Sequence, residues 1–210
     1  TYTGALTAYP QTPVMPFLLI ENYYEGETYS GQAAPISPAT VRAQAYWANL
    51  SGAAGQMFGN RPLWLFASGW QTALNSVGAN DIMRVSALFA SRAWTNLVPD
   101  STHVVLTAGY GNYGDATYVS AARTTDGSTL IAYLPVGGTV TVNLNKISGS
   151  QARTWWYNPR TGHPSIIGDF PTNGSKSFCT PTKEDWALVI DDVSLRYRAP
   201  GAAALSESRP

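Results

Sequence analysis

The chain has 210 residues, of which 44% are hydrophobic, 12% aromatic and 12% charged, and its formal net charge is zero. That length suits one large domain or two small ones, and that composition builds a packed core rather than a disordered chain. There is no block of Lys or Arg and no apolar run near the roughly 20 residues of a membrane span, so neither nucleic acid nor a membrane is an expected partner.

Cys179 is the sole cysteine, which excludes an intrachain disulfide and a thiolate zinc site. His103 and His163 are the only histidines and lack metal-ligand spacing. Neither a metal nor a cofactor is expected. Low charge with many aromatics suits a secreted or periplasmic protein that handles neutral ligands.

Residues 1–95 read as alternating strand and helix. The run from Val14 to Ile20 is short and almost wholly apolar, which suits a strand buried on both faces, as in a parallel sheet. Pro16 fits only its beginning, so the core of the strand is 17–20. It stops at Glu21-Asn22-Tyr23-Tyr24-Glu25-Gly26. Ser37-Pro38 reads as an N-cap followed by proline at the first helical position. Val41, Ala45 and Ala48 then form one apolar helix face, and Gly52 and Gly55 can close that helix. Residues 55–66 read as a second buried strand, with a loop carrying Asn60 and Arg61. A longer helix is predicted over about 80–94, with Ile82, Val85, Phe89 and Ala93 inward.

After Leu97-Val98-Pro99-Asp100 the period changes. Strand-like segments occur at 117–124, 129–134, 140–144, 153–157, 165–167, 177–179 and 186–190, separated by turns such as Asp126-Gly127, Gly137-Gly138 and Asn173-Gly174. This is the pattern of an antiparallel sandwich. Its core is expected to take one face of each strand, with Val119, Ile131, Val142 and Leu188 inside. The divisions are then 1–97, 98–193 and a disordered tail at 194–210. The joint is short and stiffened by Pro99, so the second unit should dock on the first.

Glu21 stands where a buried strand ends, which in a (β/α) barrel is the mouth of the active site. Glycoside hydrolysis commonly uses two carboxylates flanking the scissile bond, and Glu21 can be one. Tyr23 and Tyr24 could wall a sugar site, Trp64 could stack on a sugar ring, and Gln56, Asn60 or Arg61 could meet its hydroxyls. The bland alternative stands beside this: a Glu after a strand is usually a solvated loop residue. Glu25 and Glu27 read as solvated, and Tyr46, Trp47 and Trp94 as packing residues. Trp155-Trp156-Tyr157 alternate, with one face in the sandwich core and the other in an interdomain contact or exposed patch.

The segments from Pro16 to Gly26, from Arg42 to Gly55 and from Gln56 to Trp64 resemble the end of the apiosidase-like glycoside hydrolase barrel. Trp156-Tyr157-Asn158-Pro159-Arg160-Thr161-Gly162 and Asp185-Trp186-Ala187-Leu188-Val189 resemble the sandwich that follows that barrel, commonly labelled a collagen-binding domain of a collagenase. The resemblance covers about residues 14–191. It implies an α/β plus all-β fold: the last two β/α units of a (β/α)8 TIM barrel, then an antiparallel β-sandwich. It also implies a retaining hydrolase with Glu21 as nucleophile and Glu25 as a supporting residue beside Tyr23, Tyr24, Gln56, Asn60 and Trp64. Gln56 departs from the family, where His is frequent. The partner acid would come from strand four, which is absent here. A complete barrel needs about 250 residues, so the expectation is a fragment or truncated product whose missing N-terminal units complete the site. Three functions follow: hydrolysis of plant or microbial glycans, with apiose-containing pectin side chains as the narrower choice; a sandwich that binds polysaccharide or a collagen-like matrix; or a sandwich that is a structural buttress. An exposed coplanar row of Trp or Tyr would favour the second, and buried aromatics the third.

Overall fold

The computed structural model describes residues 1–202. Its first part holds five helices: α1 (Tyr2–Ala8), α2 (Pro38–Leu50), α3 (Arg61–Trp64), α4 (Trp70–Ala73) and α5 (Val77–Ala90). Helix α2 begins as its sequence requires. The Ser37 side chain accepts a hydrogen bond from the Thr40 amide at 3.2 Å, and Pro38 occupies the first turn, where no amide donor is needed. Val41, Ala45 and Ala48 are buried together with Tyr46 and Leu50. Helix α5 starts three residues before the predicted bound, capped by Ser76, and ends at Ala90. Val85, Leu88 and Phe89 form its inner face, whereas Ala93 lies beyond the helix.

The two expected parallel strands are reduced to single bridges, Leu19 with Gln56 and Glu25 with Asn60. Around them run Ala54 N–H to Phe17 O, Leu19 N–H to Gly55 O and Met57 N–H to Leu19 O, all within 3.1 Å. The direction and pairing match the sequence reading, but the burial does not. Leu18 is 56% and Ile20 55% exposed, and Val14, Met15 and Met57 are more exposed still. An apolar run shows that a segment favours cover; it does not supply the cover. Residues 61–66 are also not a strand. Pro62 sits in the first turn of α3, where its missing donor costs nothing.

The second part is a β-sandwich. The larger sheet has the order β1-β3-β4-β9-β6-β7, and the smaller β2-β5-β8. Their bounds are β1 (Leu97–Pro99), β2 (Leu106–Ala108), β3 (Ser120–Thr124), β4 (Thr129–Leu134), β5 (Thr139–Asn143), β6 (Gln151–Tyr157), β7 (Pro164–Pro171), β8 (Ser175–Cys179) and β9 (Trp186–Asp192). Every pairing is antiparallel. The anticipated joint is itself strand β1, an edge strand paired with β3.

The expectation that each strand buries one face fails at the centre of the large sheet. Every residue of β4 and β9 is buried. One face, with Leu130, Ala132, Leu188 and Ile190, meets Val140, Val142 and Phe178 of the small sheet. The other face, with Ile131, Tyr133, Ala187 and Val189, meets Tyr46, Leu50, Val85 and Leu88 of α2 and α5. Trp156 and Trp155 divide likewise between the two cores. The large sheet is therefore a middle layer with a core on each face, one shared with the small sheet and the other with the helices.

Two buried ion-pair clusters bind these layers. Arg42 of α2 donates from Nε and Nη2 to Asp185, at 2.7 and 2.9 Å, and from Nη1 to Asp81 of α5. Asp185 also accepts from Tyr133 Oη and Arg160 Nη1, and Asp81 from Arg84. In the second cluster Arg92 is bidentate on Asp191 at 2.7 and 2.8 Å. The segment after β9 continues this contact. Arg92 donates to the Arg198 carbonyl and lies over the Tyr197 ring, and the Gly201 amide donates to Ser91. Residues 194–202 are thus docked rather than a disordered tail, because a buried guanidinium gathers them; the rest of the predicted tail lies outside the described residues.

Candidate active site

Past the Leu19 bridge the chain turns into an open groove of about 870 Å³, lined by Glu21, Asn22, Tyr23, Tyr24, Glu27, Tyr29, Arg61 and Trp64 among others. Glu21 is exposed at one side. The Tyr24 hydroxyl donates to its Oε1 at 3.5 Å. Partial desolvation and then the Glu21 carboxylate hold the Tyr24 phenol above its ordinary pKa, which keeps it a donor. The Tyr24 ring lies against Gly59: a Cβ there would come within 2.3 Å of the ring, so this approach requires glycine. Trp64 meets the Tyr24 ring edge-on, at 6.4 Å and 74°.

The far wall is built by Glu27. Its carboxylate accepts from Arg61 Nη1 and, at 3.3 Å, from the Trp64 indole N–H. The Thr28 amide, then Trp64 and Arg61, hold Glu27 below the ordinary carboxylate range, against a contribution from desolvation. Tyr23 and Tyr29 pack at 5.0 Å, and the Tyr29 hydroxyl receives the Tyr24 amide. Among the described residues the groove therefore offers one carboxylate without an ion-pair partner (Glu21), one half-exposed indole (Trp64) and hydroxyl and guanidinium donors.

Of the residues proposed from sequence, Glu21, Tyr23, Tyr24, Arg61 and Trp64 come together here. Glu25, Gln56 and Asn60 do not line the groove. Glu25 is buried, where it accepts from the Gly78 amide at 3.0 Å, from Asn60 Nδ2 at 3.0 Å and from Ser76 Oγ. It ties the Tyr24 segment to the N-terminus of α5, where a carboxylate complements the free amides. A Cβ on Gly78 would fall 2.6 Å from Glu25, so that amide too is reachable only at glycine. Asn60 is spent on Glu25, and Gln56 faces a separate apolar cavity with Ile82, Phe89 and Trp94. Glu27, read as solvated, lines the groove instead, as do Asn22 and Tyr29, which the sequence did not single out. Its partners lie 34 and 37 positions away, beyond any local pattern. Among the described residues no cluster of His, Cys, Asp and Glu could hold a metal ion.

The solved structures that share this fold are described as glycoside hydrolases. One solved structure described as "Glycoside hydrolase" shares 25% identity with a TM-score of 0.82, covering 92% of this chain and 46% of its own. A glycoside hydrolase family 5 structure from Bacteroides vulgatus shares 23% identity with a TM-score of 0.85, covering 98% of this chain and 48% of its own. A GH30 endoxylanase from Clostridium papyrosolvens has the fold at 12% identity and a TM-score of 0.50, covering 90% of this chain and 46% of its own. The chain thus spans about half the length of these structures. No curated protein matches it. More particularly, residues 1–96 match the family model described as "Apiosidase-like, catalytic domain", and residues 98–191 match the one described as "Putative collagen-binding domain of a collagenase".

Proposed function

We propose that this chain is the C-terminal part of a retaining glycoside hydrolase in which Glu21 is the nucleophile. The observation that carries the reading is the position of Glu21: just past a parallel-bridged segment, in an aromatic groove, without an ion-pair partner among the described residues and touched by the Tyr24 hydroxyl. In the proposed reaction Glu21 attacks the anomeric carbon while a second carboxylic acid protonates the departing oxygen. Water then cleaves the glycosyl ester, giving its proton to that second group. Retaining chemistry places the two carboxyls about 5–5.5 Å apart. Glu25 and Glu27 are each occupied by structural hydrogen bonds, so the acid is assigned to barrel units outside these residues. The exposed apolar side chains of Leu18, Ile20 and Met57 suit cover by such units. Apiose-containing pectic side chains are the proposed substrate class.

For the second part we propose a buttress. Trp155, Trp156 and Trp186 are packed into the two cores, and no Trp of the described sandwich is exposed. Two of the residues that carry its resemblance, Arg160 and Asp185, pair with each other, and Asp185 also accepts from Arg42.

The test is to assay the whole protein and this chain on apiose-containing pectic oligosaccharides and aryl glycosides. The whole protein should be active and lose nearly all turnover on Glu21→Gln, while this chain alone is silent. Substantial turnover by this chain, surviving Glu21→Gln, would overturn the reading.

A further inference from the structure

We propose that Glu27 is a positioning residue that holds Trp64 and Arg61 as one surface for a neutral sugar ring, resting on the reading of the groove as a glycoside site. Trp64 is 53% exposed and lies on a helix of only four residues, so backbone packing does little to fix its ring. Two contacts do. Glu27 Oε2 accepts its indole N–H, and Tyr24 bounds its edge. With these contacts made, Trp64 still lines the groove with about half of its surface exposed. An indole face suits the C–H side of a sugar, and the guanidinium beside it supplies donors for ring hydroxyls. Arg61 has a half-exposed side chain, but one edge is committed to Glu27.

The charge balance selects the ligand. The ionisable carboxylates and cation lining the groove are Glu21, Glu27 and Arg61, which sum to one negative charge at neutral pH. Glu27 stays ionised because its hydrogen bonds favour the charged form. A uronate would then meet an already neutralised guanidinium and an unpaired carboxylate, whereas a neutral sugar meets neither penalty. Glu27 thereby governs both the pose of the platform and the sign of its field.

The test follows the Trp64 indole N–H by NMR on the 210-residue chain, assigning it as the signal lost in Trp64→Phe. Glu27→Ala should move that signal while leaving the other indole signals in place, and Glu27→Gln, which keeps one carbonyl acceptor, should move it less. Methyl xyloside, methyl galactoside and methyl galacturonoside are then titrated. The neutral glycosides should shift the Trp64 signal of the native chain, and Glu27→Ala should weaken them by about three- to tenfold, the worth of one lost hydrogen bond. Galacturonoside should bind more weakly than galactoside to the native chain and gain on Glu27→Ala. An indole signal indifferent to Glu27, or native binding that favours the uronate, would overturn the inference alone. No shift with any sugar would overturn the inference, while the glycoside reading stands or falls separately on the turnover of the whole protein and its Glu21→Gln variant.

Discussion

Arg42 of helix α2 and Asp185 at the head of strand β9 lie 143 positions apart and are joined by two hydrogen bonds of 2.7 and 2.9 Å, both side chains being less than a tenth exposed. This pair fixes the helix that follows the Glu21 loop to the strand at the centre of the large sheet. Removing Arg42 leaves Asp185 with Arg160 alone and Asp81 with Arg84 alone, and breaking a buried pair of this kind costs about 3–5 kcal/mol. Arg42→Met should therefore lower the melting temperature by roughly 6–20 °C, at the 2–4 °C per kcal/mol usual for a chain of this size. Calorimetry would check this, and a fall of under two degrees would show that the pair is dispensable.

The same pair sets a pH dependence. Burial alone would raise the Asp185 pKa, but hydrogen bonds from Arg42, Arg160 and Tyr133 outweigh it and hold the group below its ordinary value. A depressed carboxylate stabilises the fold above its unfolded pKa, near 4, and that stabilisation is lost as pH falls through the lower folded value. The stability gap between the native chain and Asp185→Asn should be constant from pH 7 to 5 and shrink below about pH 4. Urea denaturation at each pH measures it. A gap that widens on acidification would contradict the assignment.

Gly59 should tolerate no side chain. Alanine would place a Cβ 2.3 Å from the Tyr24 ring, which must then turn away from Glu21 and from the edge of Trp64. Overpacking of this kind costs about 1–3 kcal/mol. Gly59→Ala should lower stability by that amount and shift the Trp64 indole resonance. An unchanged resonance would mean that Tyr24 does not bound Trp64.

Much of this architecture is legible locally. Ser37-Pro38 announces the start of α2 because a cap needs only adjacent residues, and residues 129–134 announce β4 because β-branched and apolar residues cluster between turns. The three-residue strands β1 and β2 escape, since so short a run carries no period and β1 contains Pro99. The run of Val14 to Ile20 misleads on burial, because apolarity reports a preference and not a neighbour. Glu25 and Glu27 stand two apart in one loop with the same local surroundings. One is drawn under helix α5 by the Gly78 amide, and the other to Arg61 and Trp64, by partners that only the fold brings near.

A shared core makes a further demand on the sandwich. Freed from helices α2 and α5, its large sheet would expose Ile131, Tyr133, Tyr157, Ala187 and Val189 on one face. Residues 97–202 alone should aggregate or bind an apolar dye, and the 210-residue chain should not bind collagen in a pull-down. A soluble, monomeric sandwich that retains collagen would contradict the buttress.

The central claim concerns Glu21, and chemical rescue addresses it most directly. In the whole protein Glu21→Ala should cut aryl-glycoside hydrolysis by at least about a thousandfold, as expected for loss of a nucleophile. Azide can enter the space left by the carboxylate and attack the anomeric carbon. It should restore turnover and yield a glycosyl azide of configuration opposite to the substrate. Turnover by Glu21→Ala comparable with the native protein, or a loss that azide does not restore, would contradict the account.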